Sequence, residues 1–96
     1  MGGVYRIVNK QSGRMLLCST TDMKGSKNRF DFSVMTGSCV NFKLQKDWKT
    51  LGADMFLFEV LEEYTQKETQ TDEEFTEEIE LLRQLWEEKL ESKLFY

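Results

Sequence analysis

Phe75, Ile79, Leu82, Trp86 and Leu90 recur at helical spacing near the end of the chain, with Leu81 and Leu85 widening the stripe. Asp72 stands at the N-cap position, and Glu73 and Glu74 fall in the first turn, where the helix dipole favours negative charge. The spacing predicts one long amphipathic helix over residues 72–93. So wide an apolar face must lie on something, either a sheet of its own chain or a partner. With 96 residues the chain has room for one domain, 1–96, with a modest core.

The rest of the chain supplies such a sheet. Val4, Arg6 and Val8 alternate with Tyr5 and Ile7 in β-prone residue types, so residues 3–8 read as a strand. Turn formers fill 9–13, and 14–19 is a second apolar run, so the two make a hairpin. Phe30 and Val34 share a helical face. The Gly25-Ser26 pair would interrupt a helix begun at Asp22, so that helix is placed to start near Ser26. Thr36-Gly37-Ser38 is a break. Val40, Leu44, Trp48 and Leu51 then mark a second helix, which Gly52 stops. Residues 55–61 are apolar except for Glu59 and are expected to form a central strand covered on both faces, with a polar linker over 62–71. The expected order is β-β-α-α-β-α: an α+β fold, a small three-stranded antiparallel sheet flanked by helices.

Composition narrows the chemistry. There is no histidine and no proline. Without histidine there is no Ser-His-Asp triad, no Cys-His dyad and no His-ligated zinc. Cys18 and Cys39, the two cysteines, cannot build a four-thiolate site and read as reduced, partly buried thiols. Ser19, Thr20, Thr21 and Ser38 offer hydroxyls with no base to activate them. No Gly-rich phosphate loop is present. No apolar run reaches membrane-spanning length, and the start lacks a basic region followed by an apolar one. The expectation is a cytoplasmic protein with no membrane contact.

The net charge of −4 hides a split. Residues 1–60 carry nine Lys/Arg and five Asp/Glu, whereas 61–96 carry four and twelve. Charge acts locally, so the basic body can still hold phosphate on one face. A chain that is acidic as a whole binds nucleic acid weakly and in a salt-sensitive way.

The run Gly3-Val4-Tyr5-x-Ile7-x-Asn9-x-x-Ser12-Gly13 resembles the opening of the GIY-YIG nuclease domain family. In that family a Gly-Ile-Tyr strand is followed by Tyr-Ile-Gly on the paired strand. Leu16-Leu17-Cys18 stands in that second place. Arg29 is similar to the arginine of the family's first helix, displaced by about two positions. Phe42-Lys43-Leu44-Gln45 with Trp48 resembles the second helix, and Phe58-Glu59-Val60-Leu61-Glu62-Glu63 the third strand. The helix with Trp86 resembles the last one. The resemblance spans about residues 2–90 and leaves 91–96 as a C-terminal tail.

The resemblance implies a chemistry and, with it, several losses. Members of the family cleave phosphodiesters with one divalent metal, held chiefly by a Glu on the last helix. One tyrosine acts on the attacking water, and a second tyrosine and an arginine organise the phosphate. Tyr5 matches the first tyrosine. Leu16 replaces the second and has no hydroxyl; Cys18 replaces the family glycine; a histidine position falls at or near Cys39. The metal-binding Glu sits three residues before an aromatic, and three before Trp86 is Arg83, a cation that cannot bind Mg²⁺. Glu80 and Glu87, neighbours of Arg83 on the helix, are more simply its ion partners. The resemblance is thus to a degenerate member whose catalytic motif is largely lost.

Three functional expectations follow. The first is an inactive GIY-YIG-fold protein serving as a nucleic-acid-binding or regulatory module, with Arg29, Lys43 and Lys46 contacting phosphate and no cofactor. The second is an active Mg²⁺-dependent endonuclease with Glu80 as a relocated metal ligand. The third is an interaction protein that dimerises or docks on a protein through helix 72–93 and Leu94-Phe95-Tyr96.

Overall fold

The computed structural model describes residues 1–39 and 41–96. Asn9 turns the chain back on itself at the first corner. Its backbone N–H donates to the Arg14 carbonyl at 2.8 Å, and its carbonyl accepts the Gly13 N–H at 2.8 Å. Its side-chain oxygen accepts the N–H groups of Gln11 and Ser12. The strands so joined, β1 (Gly2–Asn9) and β2 (Met15–Thr20), pair antiparallel with Tyr5 opposite Cys18 and Ile7 opposite Leu16. Next come α1 (Met23–Thr36), α2 (Gln45–Leu51), β3 (Phe56–Tyr64) and α3 (Asp72–Lys89), with 3-10 turns at Ala53–Met55 and Ser92–Leu94. The α+β order matches the sequence reading.

The sheet order is β2-β1-β3, with every pairing antiparallel. β1 is therefore central and β3 is an edge, which corrects the expectation for the apolar strand. Leu57 and Val60 of β3 are both substantially exposed. α3 packs on β1 and β2 instead. The strand also runs on to Tyr64, so Glu62–Tyr64 are not linker. A shift in register sets Val4 against Glu62 and Tyr5 against Val60, leaving Leu61 as the extra residue of a bulge.

Cross-strand partners share a face. One face carries Tyr5, Ile7, Leu16, Cys18, Phe56 and Phe58, and the main core forms where Met23 and Phe30 of α1, Leu44 and Trp48 pack onto it. The other face carries Gly2 and Val4, and Ile79 of α3 passes directly over Gly2.

Three helix boundaries differ from the sequence reading. α1 begins at Met23, not near Ser26: the Asp22 carboxylate caps the helix by accepting the Gly25 N–H at 3.0 Å. Gly25 is what makes room for that cap, since a Cβ there would sit 2.2 Å from an Asp22 oxygen. α2 is short because 42–44 form a turn that leads into it; Leu44 and Trp48 are buried as the stripe requires, while Val40 lies outside the described residues. α3 is capped by Thr71 rather than Asp72, in a reciprocal capping box with Glu74, and it ends at Lys89. On α3 only Phe75 and Ile79 are fully buried, and Leu81 and Leu85 face solvent instead of widening the stripe.

Candidate functional site

α1 packs on the sheet against β3 and leaves a cleft of about 450 Å³. The strand alternation turns Tyr5 and Cys18 into it from paired positions, and Ile7, Leu16 and Phe58 form its apolar floor. α1 contributes Ser26, Arg29, Phe30 and Ser33 from one helical face, with Asn28 and Phe32 beside them. Asn41 also lines it.

The polar groups form a short chain. Arg29 donates through a terminal guanidinium nitrogen to Ser26 Oγ at 3.1 Å, and Ser26 Oγ donates to Thr20 Oγ1 at 2.8 Å. Tyr5 stacks on Phe58 with ring centroids 4.4 Å apart. Burial, with the Cys18 thiol beside it, pushes the Tyr5 phenol up to about 12. Burial likewise raises the Cys18 thiol, against the pull of Arg83 and Lys43. At neutral pH the Tyr5 phenol therefore keeps its proton.

The structure thus brings together Tyr5, Leu16, Cys18 and Arg29 from the sequence-derived set. It places the others elsewhere. Lys43 and Arg83 line a separate depression of about 130 Å³ with Leu16, Leu17 and Glu87. Lys46 lies in a third hollow with Arg14, Asp47 and Tyr96. Cys39 is outside the lining, though its thiol donates to the carbonyl of Asn41, which is part of it, at 2.9 Å. Ser26, Asn28, Phe32 and Asn41 escaped the sequence reading. The misplaced start of α1 hid Ser26, which falls one turn before Arg29 once the helix begins at Met23.

On α3, Arg83 Nε donates to Glu80 Oε1 at 2.8 Å and a terminal nitrogen to Glu87 Oε2 at 3.1 Å. Glu80 Oε2 accepts the Ser19 hydroxyl at 3.0 Å. Arg83 holds the Glu80 carboxyl below its ordinary range, and Glu80 in turn holds the Arg83 proton more firmly.

No protein-family model matches the chain, and neither does any curated protein. Solved structures do. The catalytic domain of the homing endonuclease I-TevI superposes with a TM-score of 0.67 at 21% identity, covering 94% of this chain and 88% of that one. A mutant of the same catalytic domain, described as an intron endonuclease, gives a TM-score of 0.69 at 23% identity over 99% and 90%. The fold is GIY-YIG-like.

A GIY-YIG-like fold raises the question of a divalent metal, and the residues present do not fit one. Arg83 occupies the position that the family resemblance gives to the metal-binding carboxylate, and both oxygens of Glu80 are already engaged. Among the described residues no group of three or more His, Cys, Asp or Glu side chains is placed to hold a metal ion. None of the helices described is long and apolar enough to cross a membrane.

Proposed function

We propose that this chain is a GIY-YIG-fold binding or regulatory module that does not hydrolyse phosphodiesters. The observation that carries the reading is the Glu80–Arg83–Glu87 cluster: the guanidinium at the position that the family resemblance gives to a metal-holding carboxylate is ion-paired with both neighbouring glutamates. Metal-assisted hydrolysis draws several kcal/mol of charge stabilisation from the ion, and a cation at that position withdraws it.

What the fold retains supports binding. The similar solved domains are endonucleases, proteins that act on nucleic acid. Arg29 lies at a cleft with no carboxylate in its lining, and the exposed Lys43 and Lys46 lie in separate hollows outside it. Contact through so few cations is weak and fades with salt. Two free, half-buried thiols suit a reducing compartment, so a cytoplasmic setting belongs to the same proposal. Fluorescence anisotropy with labelled oligonucleotides at low salt tests the binding; loss of signal change on combining Arg29→Gln with Lys43→Gln is expected. Binding unaffected by both substitutions contradicts it.

One observation favours a second reading, docking through α3. Leu81 and Leu85 lie one turn apart and are 57% and 51% exposed. Self-association through that face predicts a concentration-dependent mass in light scattering that Leu85→Glu abolishes. A constant monomer mass removes it.

A further inference from the structure

The cleft beside α1 offers more than a phosphate contact requires. Phe32 lines it while 64% exposed, although its neighbour in the same wall, Phe30, is 5% exposed. An open phenylalanine face next to an apolar floor is a stacking surface for a flat ring. Arg29 spends one contact on Ser26, and among the described residues it enters no ion pair, so most of its five donors are free. The Asn28 carboxamide makes no hydrogen bond among the described residues, and that of Asn41 uses only its oxygen, on the Lys43 N–H. Stacking surface, cation and unspent amides thus meet in one cleft of about 450 Å³, within the roughly 300–1,000 Å³ typical of small-ligand sites.

We propose that this cleft takes a single unstacked nucleotide, its base against Phe32, its base edge met by the amides of Asn28 and Asn41, and its phosphate at Arg29. The proposal rests on the nucleic-acid-binding reading and sharpens it. A duplex keeps its bases stacked and offers Arg29 only backbone, which leaves Phe32 and the amides unused. A nucleotide presents ring face, edge and anion together. The unit can come from a free nucleoside monophosphate or from a single strand, and the test separates the two.

The full chain, labelled with ¹⁵N, is titrated in parallel with adenosine 5′-monophosphate, adenosine, inorganic phosphate, a short 5′-phosphorylated single strand and a blunt duplex. The monophosphate or the strand is expected to shift the side-chain amide signals of Asn28 and Asn41 saturably, and the tighter of the two identifies the source. Phe32→Ala is expected to weaken that binding about tenfold, the worth of one base–aromatic stack. Both substituted positions are exposed, and thermal melts of the two variants are run to check that they fold. The split by group is specific: adenosine alone responds to Phe32→Ala but not to Arg29→Gln, and inorganic phosphate does the reverse. If neither monophosphate nor strand shifts those amides, or if the shifts ignore Phe32→Ala, the inference is overturned. Arg29-dependent duplex binding in that case leaves the module reading standing; no duplex binding either sinks both.

Discussion

Arg83 and Glu80 hold each other across one turn of α3, and the second oxygen of Glu80 is taken by Ser19 on β2. The Glu80 carboxylate is thus tied to both the helix and the sheet edge. A ligand engaged on both oxygens by hydrogen-bond donors is not available to a cation without breaking those bonds first.

The first prediction concerns that pair. Glu80 has a depressed folded-state pKa, so its share of stability is present above the ordinary carboxylate range and is lost as pH falls through the folded value. Arg83→Leu should return the Glu80 carboxyl towards its ordinary range, read by NMR titration of the side chain. Because the pair is partly exposed, stability should fall by under about 1 kcal/mol. A Glu80 titration unchanged by Arg83→Leu contradicts the pairing.

The Tyr5 phenol supplies a prediction at the other end of the pH scale. Its folded-state value of about 12 lies above the ordinary 10.0. Between those values the unfolded chain has released a proton that the folded chain keeps, so stability is full below the ordinary value and drains away as pH rises through the folded one. The Tyr5→Phe protein should lose the last-titrating tyrosinate absorbance and show a shallower alkaline loss of stability. Matching alkaline absorbance curves for the two proteins would refute the burial.

Gly3 is held by the strand beside it. Its φ is 151°, and a Cβ there would lie 2.0 Å from the backbone carbonyl oxygen of Glu62, which cannot swing aside. Gly3→Ala should cost about 3–5 kcal/mol in urea unfolding, from strain and overpacking together. At Gly13 nothing lies within 4 Å, so Gly13→Ala should cost about 1 kcal/mol from its positive φ alone. Equal costs at the two positions would overturn this reading of the bulge.

The tail makes a lock. The Tyr96 hydroxyl donates to Asp47 Oδ2 at 2.9 Å and accepts from Asn9 Nδ2 at 2.9 Å, while Phe95 bridges Met15 on the free side of β2. Asn9 is 1% exposed and also closes the hairpin turn. Tyr96→Phe should destabilise by about 1–2 kcal/mol, and Asn9→Ala by more, because Gln11, Ser12, Asp47 and Tyr96 all lose a hydrogen-bond partner at once. Denaturation midpoints identical to the parent would show that the lock adds nothing.

The element string was legible because period and propensity agree: Val4 to Val8 alternate, and Phe75 and Ile79 keep helical spacing into the core. Sheet order was not legible. β3 is apolar on both faces by composition, yet a central place depends on which strands the helices cover, and α3 covers β1 and β2. Nor could period alone say that Leu81 and Leu85 look outward, since they flank the same stripe. Of the site, Tyr5 and Arg29 were found from the resemblance, and the structure sets both on one cleft. Phe32 and Asn28 were missed because an exposed side chain carries no periodic signal; only the cleft beside them gives them meaning.

The central claim is that the fold no longer cuts, and supercoiled plasmid tests it most directly. Incubated with purified protein in Mg²⁺ or Mn²⁺, the plasmid should be nicked no faster than with Tyr5→Phe or Glu80→Gln protein prepared in the same way. Metal-dependent nicking by the parent that either substitution abolishes would contradict the account and return the chain to the endonucleases.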